Sequence, residues 1–564
     1  MKKCPVMCLR TILLLALVIP GCIPSNDEKE LREFIDAHLK RVEPLMKAQY
    51  IADWNANATG EKKYYDESAA LEFELRTIRS NPGEFAFLKE LKEQGSIRDS
   101  LLQRELILLF NTYVKNQVDT ALLRAITEKQ AAIGLTFNTF RAMIDGKQVT
   151  DNDIRVLLSE ERDVAKRKKA WEASKQVAEH VAPLLIELVN LRNNAATQMG
   201  FANFYELMLA ADEQSAADIV KVFDELKTLT DEPYLRMKES LDTELATKFG
   251  VARSELLPWH YGDPFFQEPP AVGTIDCDAL VRGRSIETLA ERFYAGIELP
   301  ADDILKRSDL YPRQGKYQHA YAVDIDRLGD VRTMCNIVDD MNWLGTSLHE
   351  LGHCVYSKYT DRNLPFLLRT ESHAFLTEGI AMLMERQAKN VDWLGQMVGI
   401  DERTRETLEK EVREDRRRQS LIFSRWAQVM MRFEKSMYEK PDQDLNSLWW
   451  NLVEEYQLLR RPEGRSRPDW AAKIHLAQYP CYYHNYMLGS LAASQILGSL
   501  NRSVVSRAAT EEFSFVGKTD VGKFLKERIF RPGASLHWNE LLRRATGEGL
   551  TAKYFAEQFC GNAP

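Results

Sequence analysis

Apolar residues recur at helical spacing along most of this chain. Trp426, Val429, Met430 and Phe433 fall at i, i+3, i+4 and i+7 between the charged residues Arg425 and Glu434, which puts them on one face of a helix. Gly and Pro are sparse, 28 and 20 of 564 residues, so few breaks interrupt such periods and the pattern predicts a mostly α protein. One strand pair stands out, Tyr321 to Asp326 and Val331 to Val338, with Gly329 in the turn. A chain of 564 residues is long for one core, so two lobes are the expected organisation. The sequence holds no repeat or low-complexity tract.

The first residues carry a different pattern. Lys2 and Lys3 precede an apolar run from Ile12 to Ile19, and Pro20-Gly21-Cys22 follow. The run is too short to span a bilayer stably and has the form of a secretory signal. Its Gly-Cys end resembles a bacterial lipoprotein signal, which implies a signal peptide over residues 1–21, a lipidated Cys22 and a short tether to residue 27. Acyl chains on Cys22 would hold an exported protein at a membrane surface. The alternative is an ordinary cleaved signal. Past Cys22 the cysteines are Cys277, Cys335, Cys354, Cys481 and Cys560, odd in number and irregular in spacing, so no disulfide framework is implied. The formal net charge is −8. Arg416-Arg417-Arg418 directly follows Glu414-Asp415 and reads as a solvated helix face, so nothing points to nucleic acid.

The candidate chemistry lies at His349-Glu350-Leu351-Gly352-His353. Residues i and i+4 of a helix share a face, so both imidazoles can reach one metal ion, with Glu350 beside them as a general base toward water. The neighbours Thr346, Ser347, Leu348, Leu351, Gly352, Cys354 and Val355 are uncharged, as a buried, dry site requires. Cys354 points the wrong way along the helix to share the ion and reads as a small buried residue. The bland alternative, two core histidines sharing hydrogen bonds, leaves Glu350 buried and unpaired, which is costly. Zinc is the expected metal. A catalytic zinc takes a third protein ligand, for which Glu371, His373 and Glu378 are the candidates. Glu378 lies in the apolar helical run from Phe375 to Leu383 and is favoured.

With these residues in view, the chain resembles the angiotensin-converting-enzyme (peptidyl-dipeptidase A) family of zinc peptidases. The likeness is clearest from about residue 256 to the C-terminus and weaker through the N-terminal helices. It rests on the approach Asp330-Val331-Arg332-Thr333-Met334-Cys335 and the motif at His349. Allowing one extra loop residue before Leu364-Pro365, it implies Glu378 as the third zinc ligand. It further implies that His319-Ala320, leading into Tyr321-Ala322, touches the substrate backbone. Lys473, in Lys473-Ile474-His475, would hold the substrate's terminal carboxylate, and His475 would support the transition state. After a one-residue insertion, Tyr483 helps with the carboxylate and Tyr486 with the oxyanion. Gln267, in Asp263-Pro264-Phe265-Phe266-Gln267, is a third carboxylate contact.

Three departures accompany the likeness. Met382 stands where the family has an Asp that orients a zinc histidine, so that support must come from elsewhere. Gln318 replaces one partner of a family disulfide and leaves Cys335 unpaired. Val453 and Asn485 stand for two arginines tied to chloride, which argues against chloride dependence. The sequence therefore leads to a two-lobed, mostly α zinc peptidase with a deep central cleft over residues 28–564 and a small β-hairpin beside the zinc helix. The expected activity is release of C-terminal dipeptides from peptides, by a protein lipid-anchored at a bacterial membrane and without a nucleic-acid partner. Two rivals are a thimet-type zinc oligoendopeptidase and a non-catalytic, lipid-anchored peptide-binding protein.

Overall fold

In the computed structural model, which describes residues 25–270, 276–506 and 511–561, helix follows helix and 70% of the protein is helical. The fold class is mostly α, as the apolar spacing predicts. The expected signal and Cys22 lie outside the described residues. The first helix, Asn26–Thr59, starts two residues earlier than the pattern suggests, because the Ser25 hydroxyl accepts the Glu28 backbone N–H at 3.2 Å and caps it. No helix among the described residues is long and apolar enough to cross a membrane.

Two small antiparallel hairpins are the only sheets among the described residues. One joins Ala142–Ile144 to Lys147–Val149, strands too short for an alternation to show in the sequence. The other pairs Tyr321–Asp324 with Val331–Met334. It is shorter than predicted because Asp324 and Asp326 turn the chain. The Asp324 carboxylate accepts the backbone N–H of Arg327 at 2.8 Å, and that of Asp326 accepts those of Leu328 and Asp330 at 2.9 and 3.1 Å.

One continuous core runs from Ile133 to Phe559, and in it Trp426, Val429, Met430 and Phe433 are fully buried. The N-terminal helices share a smaller core of their own around Leu31, Leu88, Leu106 and Tyr113. The charges beside the apolar stripe are not solvated. Arg425 and Glu434 are both buried, and Arg418 is buried in ion pairs with Glu244 and Glu414. Arg416 pairs with Glu512, so the triple arginine is mostly an internal tie rather than a solvated face.

Three helices position the chemistry: the motif helix Met341–Tyr359, the helix Ala374–Ala388 carrying Glu378, and the helix His484–Leu500 carrying Tyr486. They cross where side chains are missing. A Cβ on Gly352 would stand 2.9 Å from the Ala381 Cα, and one on Gly379 would stand 3.0 Å from the Gly489 carbonyl oxygen. The middle helix is thus pressed between the other two, which brings Glu378 up to the motif histidines.

Candidate metal centre and active site

His349 and His353 project from the motif helix with their Nε2 atoms 3.3 Å apart. Glu378 Oε2 lies 3.6 Å from His349 Nε2 and 3.9 Å from His353 Nε2. Ligand atoms about 2.0–2.1 Å from a tetrahedral zinc are separated by roughly 3.4 Å, so the three atoms fit one such ion. Among the described residues this triad is the group able to hold a metal. Of the other candidates for third ligand, Glu371 accepts from the Thr370 hydroxyl at 2.7 Å. His373 caps its helix, with Nε2 3.0 Å from the Asp212 carbonyl oxygen.

The outer nitrogens of both imidazoles are occupied. His349 Nδ1 bonds Glu385 Oε2 at 3.0 Å, and His353 Nδ1 bonds Thr377 Oγ1 at 2.7 Å. Each contact turns the ring so that Nε2 faces the triad. Glu385 and Thr377 thereby supply an orienting contact that Met382 cannot make. Spacing in the sequence did not single them out, because a carboxylate seven residues past a ligand reads as any polar helix position.

Three carboxylates surround the two rings, and their charge shapes every titration here. Burial lowers the affinity of His349 for a proton, but the Glu385 hydrogen bond and the charges of Glu385, Glu350 and Glu378 outweigh it and raise its pKa to about 9. His353 drops to about 3 through burial and the neighbouring His349 charge. Burial pushes Glu350 up to about 7, with His349 opposing and Glu378 and Glu385 adding. Burial also raises Glu378. A partly buried cluster with this excess of negative charge suits a cation.

On one side of the triad, a cavity of about 440 Å3 is lined by Ala320 to Asp324, His349, Glu350, His353 and Glu378. Among the described residues, the strand Tyr321–Asp324 pairs on one edge only, with Val331–Met334, and it borders this cavity. His319 and Ala320 lie just before the strand rather than in it. Ala320 borders the cavity, and His319 is exposed with its ring 5.3 Å from that of Tyr317. The first helix braces the hairpin: Asn57 Nδ2 donates to the Tyr321 hydroxyl at 3.2 Å, and Lys47 pairs with Asp326 at 3.2 Å.

On the other side, a cavity of about 840 Å3 is lined by Gln267, Met382, Glu385, Lys473, His475, Tyr483 and Tyr486 among others. The Lys473 ammonium donates to Gln267 Oε1 at 2.7 Å. Rings of Trp426, Tyr483 and Phe265 stand 5.2, 5.3 and 5.5 Å from it. Burial lowers Lys473 to about 8, against the favourable charges of Asp263 and Glu268. The Asp263 carboxylate holds the Gln267 loop by accepting the N–H of Phe265 and Gln267 at 2.9 and 3.0 Å. The Tyr483 hydroxyl accepts from Trp426 Nε1 at 2.7 Å, so its own proton remains to be donated. Burial and the Lys473 charge drop His475 to about 4 and keep it neutral. The ring of Tyr486 lies 6.4 Å from that of His475, and Gly489, one turn further on, meets Glu378.

The loop leading to Tyr483 is held by a residue that sequence reasoning missed. Buried Glu434 accepts the backbone N–H of Cys481 at 2.7 Å, where φ is 58°. Set between Phe433 and Lys435, Glu434 looks in sequence like the polar edge of its helix. Of the departures, Cys335 is a buried free thiol, and all five described cysteines are free. Val453 is buried among apolar groups, and Asn485 accepts from Gln214 at 2.8 Å.

Comparison with known proteins matches the two parts of the chain separately. Residues 25–261 match the family model described as angiotensin-converting enzyme, and residues 305–560 match the model described as peptidase family M3. The N-terminal helices, where the likeness looked weaker, are therefore the part that matches the angiotensin-converting-enzyme model. An angiotensin-converting enzyme of Theromyzon tessulatum is 24% identical over 242 residues, which is 42% of this chain and 39% of that protein. The chain thus aligns with well under half the length of that relative. Taken with the helical fold, these matches make the chain similar to metallopeptidases of the angiotensin-converting-enzyme and M3 kinds.

Proposed function

We propose that this protein is a zinc-dependent peptidyl-dipeptidase that releases dipeptides from the C-termini of peptides. One observation carries the reading: on the side of the donor triad that Met382 and Glu385 border, a cavity holds a buried ammonium at Lys473 with Gln267 and Tyr483 at hand. That set suits a free carboxylate, and an endopeptidase needs no such cluster.

In this reading His349, His353 and Glu378 hold zinc, which when bound supplies Lewis acidity toward the carbonyl and water. Glu350 takes the proton of the attacking water and returns it to the leaving amine. Tyr486 and His475 donate hydrogen bonds to the carbonyl oxygen as it becomes negative. Lys473, Gln267 and Tyr483 grip the chain end at a fixed distance from the reacting carbon, so the second peptide bond from the end is cut. The free edge of the strand Tyr321–Asp324, with His319 and Ala320 before it, takes the substrate backbone upstream of that bond.

Mass spectrometry of the products from one unrelated peptide, with a free and with an amidated C-terminus and with and without a chelator, tests this. Dipeptides lost from the free end only, and only without chelator, are expected. Cuts scattered along the chain, or equal cleavage of both forms, would replace the reading with an oligoendopeptidase. The lipid anchor at Cys22 is proposed on the sequence pattern alone. Labelling with a fatty-acid analogue in cells should mark the protein and fail to mark Cys22→Ser.

A further inference from the structure

We propose that Arg386 makes the cavity that receives the leaving dipeptide selective for an acidic side chain, an inference that rests on the peptidyl-dipeptidase reading. Arg386 borders the cavity of about 840 Å3 that also holds Lys473 and Tyr486. Its guanidinium has only neutral acceptors. Nη2 reaches the Ser490 hydroxyl at 3.3 Å, and Nη1 reaches Ser494 Oγ and Gln558 Oε1, both at 3.4 Å. These are long for N–H···O bonds, whose usual range is about 2.7–3.2 Å, so the donors are poorly satisfied. Among the described residues no carboxylate lies within ion-pairing distance of Arg386. A guanidinium held with full charge on a cavity wall is the group best shaped to take a carboxylate through two parallel hydrogen bonds.

Of the other charges around this cavity, Glu268 is in no ion pair among the described residues, and most of the rest are already committed. Arg416 pairs with Glu512, and Lys389 lies 3.9 Å from Asp415. Among the acids, Asp278 accepts the backbone N–H of Met341 at 2.9 Å. Glu385, the nearest opposing charge in sequence, is bonded to His349 at 3.0 Å. Beside Lys473, which bonds the neutral Gln267, that leaves Arg386 as a cation of this cavity with no ion-paired acid, the adjacent Glu385 acting on it only at longer range.

Its place along the helix suits the task. Glu378, Met382 and Arg386 follow at intervals of four, so they share a face. Arg386 sits about 12 Å along the axis from Glu378, and its side chain leans back toward the helix start. An extended peptide advances about 3.3 Å per residue, so the two released residues cover roughly half that span. An acidic side chain extending from one of them meets the guanidinium coming the other way.

The test is a set of peptides identical except for Glu, Asp, Gln or Asn at each of the two released positions, read as ratios of kcat/KM within each protein. The expected result is a preference for the acid over its amide of about tenfold at one of those positions, roughly what one charge-assisted hydrogen bond contributes. Arg386→Gln should abolish that ratio, and Arg386→Lys should keep part of it. A ratio near one at both positions in the native protein, or a preference that survives Arg386→Gln, overturns the proposal. Should both variants misfold, inhibition of the native protein by free dipeptides decides it: those ending in Glu or Asp, or carrying either first, must bind about tenfold tighter than their amides. Release of dipeptides from the amide-bearing peptides reports the underlying activity separately, so failure of the selectivity is distinguishable from failure of that reading.

Discussion

Replacing Glu385 should loosen the metal without touching any of its ligands. The carboxylate lies 3.0 Å from His349 Nδ1, on the same helix as Glu378 and two turns beyond it. Loss of such an outer carboxylate typically costs about 10–100-fold in metal affinity, or about 1.4–2.7 kcal/mol. The two ends of that range have different structural meanings. Glu385→Gln keeps an amide oxygen able to accept from Nδ1, so the ring stays turned and only the charge is lost, which points to about tenfold. Glu385→Ala removes the acceptor and frees the ring, which points to about a hundredfold. Met382→Ala is the control, since its thioether does not bond either histidine, and it should bind as the native protein does. Competition of the metal-stripped proteins against a chromophoric zinc chelator measures each constant. If Glu385→Ala holds zinc as tightly as the native protein, the orientation of His349 does not depend on this contact.

Other outcomes follow from the same geometry. Glu350→Gln keeps the shape and loses the base, so turnover should fall about 10²–10⁴-fold while zinc content by elemental analysis stays at one per chain. Lys473 carries its charge below about pH 8 and loses it above, so kcat/KM for free-carboxyl peptides should fall as pH rises through that value. Amidated peptides should show no such fall, and a shared profile would remove Lys473 from carboxylate binding. Gly352→Ala drives a methyl against Ala381, whose Cα would lie 2.9 Å away, and should cost about 1–3 kcal/mol in denaturant titration. Exchanging chloride for acetate at constant ionic strength should leave the rate nearly unchanged, because Val453 and Asn485 bring no positive charge; large saturable activation would refute this.

The sequence made the chemistry legible where a residue type and a spacing coincide. His349 and His353 at i and i+4, with Glu350 between, need nothing beyond helical geometry to be read, and the apolar run around Glu378 marks a packed helix. The stripe from Trp426 to Phe433 is likewise fully buried. What stayed hidden depends on contacts between distant segments. Glu434 and Cys481 lie 47 residues apart, and no local pattern signals that a carboxylate beside an apolar stripe turns inward to hold a backbone N–H.

The glycines show why the donor triad itself resists reading from spacing alone. Glu378, Glu371 and His373 all lie within reach of the motif helix in sequence, and all three are chemically competent ligands. What brings Glu378 up to the histidines is the close approach of its helix to its neighbours. Side chains usually keep packed helices about 8–10 Å apart. At Gly352, Gly379 and Gly489 no Cβ intervenes, and an added one would meet backbone at 2.9–3.2 Å. The ligand helix therefore sits deep against its neighbours, and the Glu378 carboxylate arrives 3.6–3.9 Å from two ring nitrogens without stretching. A small residue read in isolation is only a weak point in a helix. Three of them at two crossings set how far a ligand must reach, and so which carboxylate can be one.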